Sequence, residues 1–415
     1  MTQIEGSTAD GFQPVRAAFE RNFADGGEVG AGLTVYRHGS PVVDLWGGHA
    51  DPETSRPWRR DTIAPLASTC KTFASGAVLL LVARGEVDLE APVARYWPEF
   101  AQHGKGEITV RTLLSHRAGL PSLHLRPITW EDLRAWTPIT ETLAAATPEW
   151  PPGTAHGYHG VSIGHLAGEI VRRVSGLTLS EFLAREIAGP LGLDCYVRVP
   201  DDELPRMATM VIPDAENMRL GMEVPELADF VEALNDPTSL SFRAFYGSVA
   251  IDWDATNDPR TYQVESPSMD GVASAHSLAR YFAALAGEVD GIRLLNPGLV
   301  ERIRTPQADG VDRTLRVRSA WGIGFAVPGG PFWPAPEHVT GLFGQGGATG
   351  SFAFADPERE LAFGYVPNRG SELLEGGDFR VRSLVEALYA AVQEQDARQP
   401  GADPGRLPGP GVNQP

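Results

Sequence analysis

Ser68, Thr69, Cys70 and Lys71 open an apolar stretch that runs to Arg84. A spacing of three puts the serine and the lysine on one face of a helix, one turn apart. Serine at a helix start is commonly an N-cap, but a lysine in the first turn opposes the helix macrodipole. At the mouth of a core helix that lysine loses water, and desolvation favours its neutral amine. A neutral amine beside a hydroxyl can act as the base that turns serine into a nucleophile. Lysine usage sharpens the point: of 35 basic residues only Lys71 and Lys105 are lysines. Arginine, used everywhere else, does not give up its proton in a protein; lysine can.

A rival nucleophile is Ser162, in Gly160-Val161-Ser162-Ile163-Gly164, a formal G-x-S-x-G. That motif needs a strained turn between a buried strand and a helix, and the preceding TPEWPPGTAHGYH does not read as a strand. Ser162 is therefore expected to be structural. Tyr158 lies in the loop feeding the same helix. His156, His159 and His165 surround it without an acidic ligand or an H-E-x-x-H pattern, so neither a metal nor a cofactor is expected. Further on, Gly344-Gln345-Gly346-Gly347-Ala348-Thr349-Gly350 leads into the strand-like SFAFA. The spacing is not that of a dinucleotide loop, and no strand-to-helix unit follows. Glycines beside a strand do let a ligand approach the backbone, whose N–H groups can supply half an oxyanion hole.

The elements that must position these groups follow from periodicity. Helices are expected over 12–24, from Thr69 to Arg84, within 109–121, after Tyr158, in LSEFLAREIAGPLG, over 277–287, and in a closing segment ending near Asp396. Two strands flank a His38-Gly39-Ser40-Pro41 turn, AWGIGFAV reads as β-like, and two more strands join through Asp356-Pro357-Glu358-Arg359. Residues 200–270 show no clear period. Strands at both ends and helices between imply an α/β (α+β) fold. One antiparallel sheet would be built from residues 1–66 and 271–395, with a mainly helical domain at 67–270 and a disordered tail at 396–415.

Composition excludes several functions. The chain has 415 residues, 42% of them hydrophobic and 21% charged, with a net charge of −18. It lacks the basic footprint of a nucleic-acid binder and any polybasic membrane contact. No apolar run approaches the length of a membrane span. Cys70 and Cys195 cannot make a disulfide framework, and the start MTQIEGSTADGFQPVRAAF has no signal-peptide pattern, which reads as a cytoplasmic protein.

In this order, LASTCKTFASGAVLLLVARGEVDLEAPVARYWPEF, ITVRTLLSHRAGLP, PPGTAHGYHGVSIGHLAGEIVRRVSG and FGQGGATGSFAFADPERELAFGYVPN resemble the serine β-lactamase-like superfamily. It includes class C β-lactamases, DD-peptidases and family VIII carboxylesterases, in which S-x-x-K is the nucleophile motif. The resemblance covers about residues 12–395 and implies that Ser68 is the nucleophile and Lys71 its base partner. Tyr158 then matches the tyrosine of Y-x-N, which shuttles protons to the leaving group. Gln345-Gly346-Gly347 falls on the K-T-G element, and the amides of Ser68 and Ala348 become the oxyanion donors. Gln345, Gly346, Gly347 and His159 are the expected substrate contacts. Two departures matter: Gly160 replaces the asparagine of Y-x-N, and Gln345 replaces the lysine that pairs with a substrate carboxylate. Loss of that charge-assisted contact favours a small-molecule ester over a β-lactam or D-peptide. A small-molecule ester or amide is thus the expected partner, through a Ser68 acyl-enzyme. The alternatives are transfer to an amine or alcohol, and a non-catalytic binding relative. Trp130, Trp136, Trp321, Phe332 and Trp333 are candidates for walls of an apolar subsite.

Overall fold

The computed structural model describes residues 2–123, 128–212, 225–247, 256–334, 340–371 and 378–398. Both ends of the chain build its central antiparallel sheet. Strands β1 (Ile4–Thr8), β2 (Gly30–Arg37) and β3 (Ser40–Asp51) come from the N-terminal side, and β4 (Phe343–Gly346), β5 (Phe352–Asp356) and β6 (Leu361–Pro367) from the C-terminal side. The order along the sheet is β1-β3-β2-β6-β5-β4. The two halves join where β2 pairs with β6, with Val35 opposite Phe363.

Helices cover both faces of this sheet. Helices α1 (Gln13–Ala24) and α5 (Phe379–Arg398) seal one face around Leu33, Val35, Phe354, Phe363, Leu384 and Leu388. Helix α4 (Ala275–Ala286) covers the other face, with Leu278 and Phe282 in one cluster with Ala353 and Val366. Cover on both sides explains why GAGLTVYR and LAFGYVP read as nearly continuous apolar runs instead of alternating ones. Between the sheet halves lie helices α2 (Lys71–Ala83) and α3 (Ile163–Ser175). Helix α2 is buried from Lys71 to Leu81, as a helix apolar on all sides must be. Ala64–Pro65 pairs with Val272–Ala273, so the chain enters and leaves this helical segment side by side.

Most sequence expectations match these elements. The turn between β2 and β3 holds His38 and Gly39 at φ +50° and +73°, the left-handed pair that a tight hairpin needs. The Asp356 carboxylate accepts the N–H groups of Glu358 (3.1 Å) and Arg359 (3.2 Å), closing the second hairpin. Differences have local causes. The expected helix at Thr69 begins instead as a 3-10 turn over Ala67–Cys70. Strand β1 escaped the pattern because it is an edge strand with a mostly exposed, polar sequence. In AWGIGFAV only the segment up to Trp321 is strand, as part of the two-stranded ribbon Ala308–Val311 and Arg318–Trp321. The unassigned 200–270 region contains short helices at Ala228–Asn235 and Leu240–Phe245. Helix α5 extends to Arg398, so residues 396–398 are helical; the remainder of the expected tail, 399–415, lies outside the described residues. No helix among the described residues is long and apolar enough to cross a membrane.

Candidate active site

Ser68 sits in the 3-10 turn that feeds α2, directly after Ala67. Ala67 has φ +43°, a strained conformation for a residue with a Cβ and one that recurs at functional sites. Thr69 anchors the turn: its hydroxyl meets that of Ser351 at 2.8 Å. The Ser351 hydroxyl in turn donates to the Leu66 carbonyl at 2.8 Å. The backbone of the Ser68 turn is thereby tied to the start of β5.

Lys71, one turn on, is buried. Its Nζ lies 2.9 Å from Ser68 Oγ and donates to the Ser268 carbonyl at 2.7 Å. It also stands 5.1 Å from the centroid of the Tyr158 ring. Sequence spacing put Ser68 and Lys71 together; the fold adds Tyr158, 90 residues downstream in an irregular loop.

That loop is held chiefly by Asp312, which the sequence did not single out. Asp312 is fully buried. Its Oδ1 accepts the N–H groups of Tyr158 (2.9 Å), Thr314 (2.8 Å) and Leu315 (2.9 Å), while Oδ2 accepts the Ser319 hydroxyl at 2.9 Å. The Tyr158 ring stacks on Trp321 at 5.0 Å and meets the His116 ring at 5.2 Å. Phe245, from the unassigned region, also meets it, at 6.2 Å between ring centroids. The only available signal for Asp312 was an aspartate two residues before a threonine in a loop, a pattern common to ordinary turns.

His159, expected to touch substrate, is turned into the protein interior. It is wholly buried. Its Nδ1–H donates to the Gly157 carbonyl at 2.6 Å, and Nε2 accepts the Leu120 N–H at 3.0 Å. Both ring nitrogens are occupied in fixing the Tyr158 loop. Burial pushes its pKa down to about 4 and holds that of His116 well below the ordinary histidine range. Both imidazoles are therefore neutral near pH 7. Ser162 is equally structural: it is buried at the start of α3, and its hydroxyl donates to the Leu120 carbonyl. The second glycine of that motif, Gly164, gives its N–H to Ser268 Oγ at 2.8 Å, bracing the residue whose carbonyl holds Lys71.

The glycine-rich strand closes the site. A Cβ on Gly347 would lie 2.1 Å from the Leu66 carbonyl oxygen and 3.1 Å from Thr69 Oγ1. Only glycine lets this segment press against the Ser68 turn. Gly347 accepts the Gly350 N–H at 2.9 Å. Carbonyl and N–H of one trans peptide point opposite ways, so the Ala348 N–H is turned out of this tight turn.

Gln345 is buried, and its amide donates to the Gly346 carbonyl at 3.2 Å. Gln345 and Gly346 line a cavity together with Trp321, Phe332, Trp333 and Phe352. Three of the five candidate aromatics thus share this wall. Trp136 does not: it is buried beside α3 and donates to Glu169 at 2.7 Å. Trp130 is exposed at the start of a short helix.

A serine–lysine pair with a tyrosine over it, on a sheet split around a helical insert, matches what comparison with known proteins finds. The family model "Beta-lactamase" matches residues 15–386, and this chain belongs to that family. The esterase/beta-lactamase LipL of Mycobacterium tuberculosis is 34% identical over 377 residues, spanning 88% of this chain and 83% of that protein. A family VIII carboxylesterase superposes with a TM-score of 0.82 at 35% identity, covering 94% of this chain and 100% of that one. A penicillin-binding protein homologue from Caulobacter crescentus gives 0.81 at 37% identity, with coverage of 94% and 100%. The names of these relatives support serine hydrolase activity for this chain.

Proposed function

We propose that this protein is a carboxylesterase that cleaves small-molecule esters through an acyl-enzyme on Ser68. The observation that carries this reading is the 2.9 Å approach of a buried Lys71 Nζ to Ser68 Oγ. A neutral amine keeps one N–H for the Ser268 carbonyl and offers its lone pair to the serine proton. Ser68 Oγ attacks the ester carbonyl, and its proton passes to Lys71. The oxyanion rests on the amides of Ser68 and Ala348. The proton then travels by way of Tyr158 to the leaving alkoxide, releasing the alcohol. Water, deprotonated by the same pair, attacks the acyl carbon and returns the proton to Ser68.

The wall beside Gln345 suits a neutral group. Among the residues lining that cavity the charged side chain is Arg318, and both of its bonded nitrogens are engaged by Asp309 at 2.9 Å. With glutamine at 345 the wall offers no free cation to a substrate carboxylate, which favours esters over β-lactams. The test uses p-nitrophenyl butyrate and a fluorophosphonate probe. Ser68→Ala abolishes turnover and labelling, whereas Ser162→Ala keeps most of both; the reverse pattern would remove the assignment. Decay of the trapped acyl-enzyme with and without added amines or alcohols separates hydrolysis from acyl transfer. Rapid nitrocefin hydrolysis would instead favour a β-lactamase.

A further inference from the structure

A fully buried arginine lies beneath the turn that carries the proposed oxyanion amide. Arg380, at the start of α5, has no exposed surface. Its Nη1 bonds both oxygens of Glu28, at 3.2 and 3.3 Å. Its Nε and Nη2 hold Asp378 Oδ2, at 3.2 and 2.7 Å. Nη2 also donates to the carbonyls of Arg369 (3.2 Å) and Gly370 (3.0 Å). One planar fork thus ties the entry to β2, the entry to α5 and the segment after β6. A network of this kind is a poor source of net stability, because removing two or three charges from water offsets most of the attraction. Its geometry has a more specific consequence.

The next N–H along the chain from those carbonyls, that of Ser371, donates to the Ala348 carbonyl at 2.9 Å. Gly350, closing the same turn at φ +87°, leaves room for the guanidinium: a Cβ there would sit 3.0 Å from Nη2 and 3.1 Å from the Arg369 oxygen. The carbonyls on both sides of the Ala348 amide are therefore fixed. Gly347 is held by Gly350, and Ala348 is held by Ser371. The Gly347 carbonyl shares its peptide plane with the Ala348 N–H and the Ala348 carbonyl fixes the plane that follows, so the two bonds together set the direction of that N–H.

We propose that Arg380 is a positioning residue for catalysis: through Arg369, Gly370 and Ser371 it holds the 347–350 turn so that the Ala348 N–H meets the developing oxyanion. The proposal rests on the reading of Ala348 as an oxyanion donor. Lysine cannot replace this arginine, since a flexible ammonium with three donors does not span two carboxylates and two carbonyls in one plane. A small displacement of a preorganised donor costs rate and leaves substrate affinity nearly unchanged.

The test compares Arg380→Lys, Ser371→Pro (which deletes the linking N–H) and the double variant, in the full chain. The measurements are kcat and KM for p-nitrophenyl acetate, the rate of fluorophosphonate labelling, and the melting temperature. The expected result is a loss in kcat and labelling rate of about 10- to 100-fold in each single variant, with KM within about twofold. The double variant should lose little beyond either single one, because both act through one contact. Arg359→Met, which removes an ion pair on the β5–β6 turn, should lower the melting temperature without this loss of kcat. Wild-type kcat in a folded but less stable Arg380→Lys enzyme would overturn the proposal, as would losses that multiply in the double variant. If Arg380→Lys does not fold, Ser371→Pro decides alone, and unchanged kcat refutes the link. A wild-type enzyme whose Ser68 resists the probe would instead defeat the catalytic reading itself.

Discussion

Lys71 is buried in the first turn of a helix, with its Nζ held by Ser68 Oγ and the Ser268 carbonyl. What distinguishes it from arginine is that it can exist neutral. Lys71→Arg is accordingly expected to be as inactive as Lys71→Ala in ester turnover, and near-normal activity in the arginine variant would refute a proton-accepting role. A second titrating group stands close by. Burial pushes the Asp270 carboxyl up to about 7, against weaker opposing effects of a Ser266 hydrogen bond and the Lys71 charge. Its pKa is raised above the unfolded value of 3.8. Stability that Asp270 contributes in acid is thus lost as pH rises through about 7. Asp270→Asn should gain melting temperature over wild type as pH rises from about 4 to about 7, with a constant difference above. A difference independent of pH would show that this carboxyl titrates normally. At this scale the sequence was most informative where one helical turn sets the spacing, as with Ser68 and Lys71, which lie 2.9 Å apart. It was least informative at His159, because a histidine next to Tyr158 looks the same in sequence whether its nitrogens face solvent or, as here, backbone.

Elements bring the residues together with tolerances set by backbone contact. The start of α2 and the β4–β5 turn meet at Gly347, where a methyl group would lie 2.1 Å from a carbonyl oxygen. Backbone cannot yield as the far end of a side chain can, so Gly347→Ala should part the two segments. The expectation is a fall in kcat of about 100-fold or more, the scale for misplacing a reacting group by about 1 Å, with the fold retained by circular dichroism. Unchanged kcat would mean that the turn does not position the site. The helices and hairpins of this region were legible because caps, glycine stops and apolar periods are local signals. The Tyr158 loop was not, since Asp312, Trp321 and Phe245 support it from more than 80 residues away. Nothing near position 158 encodes those partners.

At the scale of the whole molecule, charge acts on what reaches the site. A net charge of −18 repels anions at low ionic strength, and salt screens that field within about 10 Å at 0.1 M. For an ester bearing a carboxylate, kcat/KM should rise several-fold from low to roughly physiological salt, while a neutral ester changes little. Equal salt dependence of the two substrates would remove charge as a selector. The sequence by itself determined the pairing of Ser68 with Lys71, the run of helices and hairpins, and the class of fold. Each of these is written within one helical turn, one strand or an ordered series of motifs. The tertiary structure decided which loop residues surround that pair, that His159 and Ser162 are internal supports, and that three aromatics face Gln345. It also decided that a buried Arg380 stands behind the Ala348 turn. The physical reason is separation: Glu28 and Arg380 are 352 residues apart in sequence, and only closure of β2 onto β6 places them in one hydrogen-bonded network.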